Sequence, residues 1–161
     1  MDVRLTTMDE LDCVMEIYAY AREQMKLNGN PDQWGNDRPS RAVVTNDIQN
    51  GNSYVIVNNG IICGVFAFIL GNEPTYAKIE GKWNFKGPYG TIHRIASSGV
   101  EKGIFNTCIL FCEAKSKILR IDTHRENKIM LHLIEKHNFK KCGIIYVDDG
   151  TPRIAFDKCS A

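Results

Sequence analysis

Thr91-Ile92-His93-Arg94-Ile95-Ala96-Ser97-Ser98-Gly99-Val100-Glu101-Lys102-Gly103-Ile104-Phe105 sets one imidazole a few residues ahead of a glycine-containing turn into a helix. A strand that enters a helix through so short a loop leaves the first helical N–H groups without partners, at the positive end of the helix dipole. That is a ready site for phosphate. Histidine titrates near neutral pH and can take a proton from a nucleophile. A phosphate cradle and a proton acceptor thus fall within one strand-loop-helix unit. The plain alternatives are a turn with no ligand and a core histidine satisfied by a backbone carbonyl, and both stay open at this point.

The surrounding sequence supplies the elements that would hold this unit. Val3 to Leu5 alternates as a short strand, and Thr7-Met8-Asp9-Glu10 has the capping-box spacing. Leu11, Val14, Met15, Tyr18, Ala21 and Met25 recur at helical spacing, which predicts an amphipathic helix over 8–26, stopped by Asn28-Gly29-Asn30-Pro31. A second helix is expected over 41–49. Ser53 to Val57 and Ile61 to Leu70 read as strands joined by the hairpin signal Asn58-Asn59-Gly60. The segment 71–90, rich in Gly, Pro and aromatics, reads as a long functional loop. After a helix over 104–117 come a strand over 119–123, a helix over 127–137 and a final hairpin across Asp148-Asp149-Gly150. The order β-α-α-β-β-β-α-β-α-β-β fits one α/β domain over 1–161, with a mostly antiparallel, mixed sheet of six to seven strands and about four flanking helices.

Composition narrows the partners. The 161 residues carry a net charge of +1, so no global field favours nucleic acid or membrane, and anion recognition must be local. The longest apolar run, Ile61 to Leu70, is about half of what a bilayer requires. The N-terminal residues lack the apolar stretch of a secretory signal, and a cytoplasmic protein is expected. Six cysteines show no paired metal spacing, so no metal is expected; Cys108 and Cys112 share a helix face as small hydrophobes.

The element order and the loop after the fourth predicted strand resemble the GNAT superfamily of acetyl-CoA-dependent N-acetyltransferases, over essentially the whole chain. The family's loop motif, Gln/Arg-x-x-Gly-x-Gly/Ala, falls on Val100-Glu101-Lys102-Gly103-Ile104-Phe105, where only Gly103 matches. The resemblance implies that main-chain groups of these six residues hold the cofactor diphosphate, with Phe105 packed beneath the loop. It also implies that Ile95, Ala96 and Ser97 carry the pantetheine arm. Asn127, ahead of His137-Asn138-Phe139, is similar to the asparagine that opens the family's next helix and touches that arm. Asn138-Phe139 stands in place of Gly-Phe, and Asn tolerates the same left-handed conformation.

Acetyl transfer to an amine needs a neutral nucleophile. An alkylammonium of pKa ~10.4 is neutral about once in 2,500 molecules at pH 7, a deficit of about 4.6 kcal/mol. His93 resembles a catalytic histidine of the arylalkylamine branch and is the expected base. By strand alternation it shares a face with Ile95 and Ser97. The family's tyrosine acid falls on Ile134, which leaves Tyr146 as the substitute. Oxyanion support is expected from a backbone N–H near Ile95. Gln33, Trp34, Tyr76 and His124 are the expected acceptor contacts, for a small-molecule or peptide amine. This fold often pairs through its late strands, so a homodimer is among the expectations. A catalytically weak or inactive acyl-CoA-binding module is the alternative.

Overall fold

The computed structural model describes residues 1–160. In chain order its elements are β1 (Asp2–Leu5), α1 (Leu11–Leu27), α2 (Arg41–Gln49), β2 (Ser53–Asn58), β3 (Ile61–Leu70), β4 (Glu80–Gly81), β5 (Tyr89–Ser97), α3 (Ile104–Glu113), β6 (Ile118–Thr123), α4 (Lys128–Lys136), β7 (Lys140–Tyr146) and β8 (Pro152–Cys159). The strands form one eight-stranded sheet in the order β1-β2-β3-β5-β6-β8-β7-β4. Every neighbouring pair is antiparallel except β5 and β6.

Helices α3 and α4 cover one face of the sheet. Ile104, Phe105, Cys108, Ile109 and Cys112 form the buried stripe of α3 and meet Ile56, Phe66, Ile92 and Leu119. A stripe at i, i+1, i+4, i+5 and i+8 is the spacing that keeps one helix side on a core. On the opposite face, Leu11, Val14, Ile17 and Tyr18 of α1 and Val44 and Ile48 of α2 close over Val55, Val65 and Ala96. The same face over β6, β7 and β8 is covered by the segment between β3 and β5, through Tyr76 with Trp83 and Phe85, and by Tyr89 at the start of β5.

That segment departs from the expected loop. It contains a 3₁₀ turn at Pro74–Tyr76 and the short β4, which adds the eighth strand by pairing with β7. The pairing is close: a Cβ at Gly81 would strike the Cys142 carbonyl, and one at Gly143 the Glu80 carbonyl. Asp157, fully buried on β8, anchors the segment by accepting from the main-chain N–H groups of Asn84 and Phe85 at 2.8 and 3.0 Å. The expected helix over 8–26 opens instead as a 3₁₀ turn at Met8–Glu10, with Glu10 Oε1 accepting from the Thr7 N–H. Helix α3 stops at Glu113 rather than 117, and on α4 Ile129 faces solvent. The Asn59-Gly60 turn has both residues at positive φ, 51° and 77°, as a type I′ hairpin requires.

One irregularity shapes everything near the expected site. Val65 pairs with Ala96 but Ala67 pairs with His93, so Arg94 and Ile95 together oppose Phe66. This is a β-bulge, and Arg94 carries its positive φ of 51°. The bulge flips the alternation. Ile92 and Ile95 both pack on the α3 side, while His93 and Ala96 pair with Ala67 and Val65 on the α1 side. His93 therefore does not share a face with Ile95, as regular alternation would have it.

Asp47 of α2 pins the bulge. Its carboxylate accepts from Arg94 Nε at 2.8 Å and from Arg94 Nη2 at 2.7 Å, with Asp47 only 5% exposed and Arg94 23%. Breaking a buried pair from one side strands the other charge, typically at about 3–5 kcal/mol. The partial exposure of Arg94 lowers the expectation for Asp47→Ala to about 2–3 kcal/mol. Urea denaturation of that variant should show this loss with an unchanged m-value. A loss below about 0.5 kcal/mol would mean that the pair does not hold the bulge.

Candidate active site

Strands β5 and β6 run parallel and pair only at Tyr89↔Ile118, Gly90↔Leu119 and Thr91↔Arg120. Beyond Thr91 they part, although β5 continues to Ser97 and β6 to Thr123. A cleft of about 500 Å³ opens at the split, lined on one side by Ile92 to Ile95 and on the other by Ile121, Asp122 and Thr123. Its volume lies in the range of ordinary small-molecule sites. The bulge falls in this unpaired stretch, and a bulge leaves main-chain polar groups off the ladder. Ile95, near which the oxyanion donor is expected, lies in that bulge.

The loop that follows β5 ends at Gly103, which caps α3 with φ 81° and offers no side chain to the helix N-terminus. Ser97 Oγ accepts from the Gly99 N–H at 3.0 Å and Ser98 Oγ from that of Val100 at 3.4 Å. Among the described residues, the main-chain N–H groups from Glu101 to Asn106 find no acceptor within the protein. Unmet donors at the first turn of a ten-residue helix suit a diphosphate. Val100 is 72% exposed, so its replacement of the motif's polar residue leaves the loop open. Phe105 is 5% exposed, in the core and edge-on to His137. It does not fill the loop.

His93 projects into a set of charged and polar groups. Its Nε2 lies 3.5 Å from Glu73 Oε2, and Glu73 Oε1 accepts from Thr75 Oγ1 at 2.9 Å. The interaction with His93, offset by desolvation, holds the Glu73 carboxyl below its usual range. Behind the imidazole, at 6.5 Å between ring centroids, Tyr76 donates its hydroxyl to Asp122 Oδ2 at 2.6 Å. Burial pushes the Asp122 carboxyl up, opposed by that hydrogen bond, by His93 and by Arg153. Arg153 is 6% exposed and donates to the carbonyls of Pro152 and Gln33 and to Thr151 Oγ1.

The other expected contacts separate into two groups. Gln33, Trp34 and Asn127 line the cleft together. Gln33 Oε1 accepts from Asn127 Nδ2 at 2.9 Å and from Asn30 Nδ2 at 2.9 Å, which ties the α1–α2 connection to the start of α4. Asn127 Oδ1 meanwhile caps α4 by accepting from the Met130 N–H at 3.1 Å. Tyr76, Tyr146 and His124 lie outside the cleft lining. Tyr76 is buried under the β3–β5 segment and reaches the cleft only through Asp122. Tyr146 turns away and donates to Glu80 Oε1 at 2.9 Å, so the expected substitute acid does not meet the site. His124 Nδ1 accepts from the Glu126 N–H, and burial pushes its imidazole below the usual range.

Asp122, Arg153 and the Asp47–Arg94 pair did not figure among the expected site residues. The signal for Asp122 was present: in Leu119-Arg120-Ile121-Asp122-Thr123 the charges fall on every second residue of an otherwise apolar strand. A charged row on a central strand reads as a site rather than a solvent face.

The sheet is split between its two parallel strands, and the bare amides at the mouth of the gap are donors of the kind that suit phosphate. The sequence matches no protein-family model and no curated protein. A solved GNAT-family acetyltransferase of Streptococcus agalactiae 2603 is 31% identical, with a TM-score of 0.90 over 99% of this chain and 95% of that one. Two other structures share the fold alone. An aminoglycoside N(6′)-acetyltransferase of Legionella pneumophila is 12% identical, with a TM-score of 0.69 over 98% of this chain and 91% of its own. The protein yncA of Salmonella typhimurium, solved with its cofactor acetyl-CoA, is 11% identical, with a TM-score of 0.64 and coverage of 98% and 92%. The chain belongs to the GNAT family of acetyltransferases.

The raised carboxyl of Asp122 carries a stability cost whose sign is fixed. Below the unfolded value of 3.8 both states hold the proton and there is no penalty; above the raised folded value the folded state must ionise a buried group. Asp122→Asn, which can still accept from Tyr76, should therefore be more stable than the wild type at pH 7. The difference should shrink as pH falls toward 4. Urea denaturation across that range checks it, and a pH-independent difference would refute the burial cost.

Proposed function

We propose that the protein is an acetyl-CoA-dependent N-acetyltransferase that moves the acetyl group to a primary amine by direct attack in a ternary complex. The observation that carries this reading is the common opening of His93 and the split between β5 and β6 onto one cleft, beside the bare amides at the start of α3. The donor set suits the cosubstrate: main-chain amides of residues 101–106 for the diphosphate, and the unpaired edge of Ile95, Ala96 and Ser97 for the pantetheine arm. Asn127 stands at the far wall. Bound there, acetyl-CoA supplies an activated thioester carbonyl.

The protein's own groups account for the remaining steps. A carboxylate at Nε2 keeps a proton on that nitrogen of His93, leaving Nδ1 as the acceptor. Proton uptake from the acceptor ammonium, directly or through a water, then makes an imidazolium that Glu73 and Asp122 stabilise. A main-chain donor at the Arg94–Ile95 bulge supports the carbonyl oxygen as charge builds on it. No tyrosine protonates the departing sulfur, because Ile134 is fully buried in the core and Tyr146 is engaged with Glu80. A thiolate of pKa ~8.5 leaves readily without one.

Gln33 and Trp34 border the acceptor end, and the cleft wall offers the Asp122 carboxylate to a cation. The buried Ile134 favours one other reading, an acyl-CoA-binding module without turnover. Release of free CoA in the presence of a panel of primary amines separates the two. His93→Ala should lower kcat by about 10²-fold or more while CoA affinity changes less than about twofold. A variant whose pH–rate profile matches that of the wild type would remove His93 from the mechanism.

A further inference from the structure

Behind the segment that covers β6 lies a second recess of about 470 Å³, walled by Asn72 to Pro74, Tyr76, Lys86, Tyr89 and Arg120. None of its lining residues lines the cleft. Arg120 is 8% exposed, yet it forms neither a hydrogen bond nor an ion pair among the described residues, and its Nε is buried without an acceptor. A cation so far removed from water ordinarily has an anionic or carbonyl partner. Here both faces of the guanidinium are taken by aromatic rings, with Cζ 3.9 Å from the Trp83 centroid and 3.8 Å from that of Tyr89. Only its edge remains, and the edge is where a guanidinium donates.

The two rings are themselves fixed. Trp83 Nε1 donates to the Tyr76 carbonyl at 3.3 Å, and Tyr89 Oη accepts from the Glu73 N–H at 2.8 Å. The guanidinium is thereby held in one orientation before any ligand arrives. Lys86, exposed on the opposite wall, adds a second positive charge. The carboxylate in the wall, that of Glu73, is occupied by Thr75 and His93.

We propose that this recess binds a small oxyanion, a phosphate monoester or a carboxylate, gripped edge-on by Arg120 and flanked by Lys86. The planar fork of the guanidinium matches the paired oxygens of either group. Glu73 lines the recess and contacts His93 of the cleft, so occupancy bears on the segment that faces His93.

Trp83 reports on its own contact with Arg120. With Trp34→Phe, it is the sole remaining tryptophan of the two in the chain. Its fluorescence is titrated with inorganic phosphate and, separately, with glutarate, at fixed ionic strength against a sodium chloride control. The expected result is a saturable change with at least one anion: phosphate alone indicates a phosphate ester, glutarate alone a carboxylate, and both a general oxyanion site. Adding Arg120→Met, which keeps an unbranched apolar stem between the rings, should weaken the apparent affinity tenfold or more. If that variant does not fold, Lys86→Glu on the exposed wall carries the same test, with a tenfold weakening expected from charge reversal. A change that the chloride control reproduces, no saturation with either anion, or full affinity in the folded variant would overturn the proposal.

Discussion

The parting of β5 from β6 is the constraint on which the rest depends. Two parallel neighbours that stayed paired would close the sheet and bury His93 against β6. They separate because β5 carries an extra residue opposite Phe66, and a bulge raises local twist and bends its strand. Arg94 occupies a left-handed conformation that L-residues with long side chains rarely adopt. Such a conformation persists only where the surroundings over-determine it, and a two-pronged ion pair to the buried Asp47 does so. The α1–α2 layer thus determines the shape of the sheet at the site as well as covering it.

Once the sheet is split, its two walls take different chemistry. The β5 wall offers a main-chain edge and an imidazole. The β6 and β8 walls bring Asp122 and Arg153, and the segment between β3 and β5 brings Glu73 and Tyr76. Tyr76 bonds Asp122, and Glu73 lies 3.5 Å from His93, so a charge change in either pair is felt within it. The raised Asp122 and the lowered Glu73 show the two limits of one environment: burial dominates the first, and the contact with His93 dominates the second.

Much of this frame was legible in the sequence where the signal is local. The Asn59-Gly60 hairpin and the left-handed Asn138 at φ 66° are consequences of a few adjacent residues. The bulge was not legible. No glycine marks it, and its stabilising partner lies 47 positions away in sequence. The aromatics of 71–90 left two readings open for a related reason. Aromatics on a loop are as compatible with a ligand as with a core, and Asp157, far along the chain, decides that this segment packs down. Phe105 was readable because a side chain of that bulk has to turn away from the loop and pack beneath it.

The choice of His93 over Asp122 as proton acceptor follows from matching strengths. Transfer from an amine is least costly to a group whose own proton affinity approaches the working pH. Burial lifts Asp122, but its contacts with Tyr76, His93 and Arg153 all favour the anion and limit that lift. A carboxylate so held is suited to attracting a cation and to stabilising a nearby imidazolium. Imidazole as a chemical class titrates near neutral pH, and His93 has the Glu73 carboxylate already in place beside its Nε2. In the proposed reaction the work divides accordingly: Asp122 sets the field, Glu73 sets the tautomer, and His93 moves the proton.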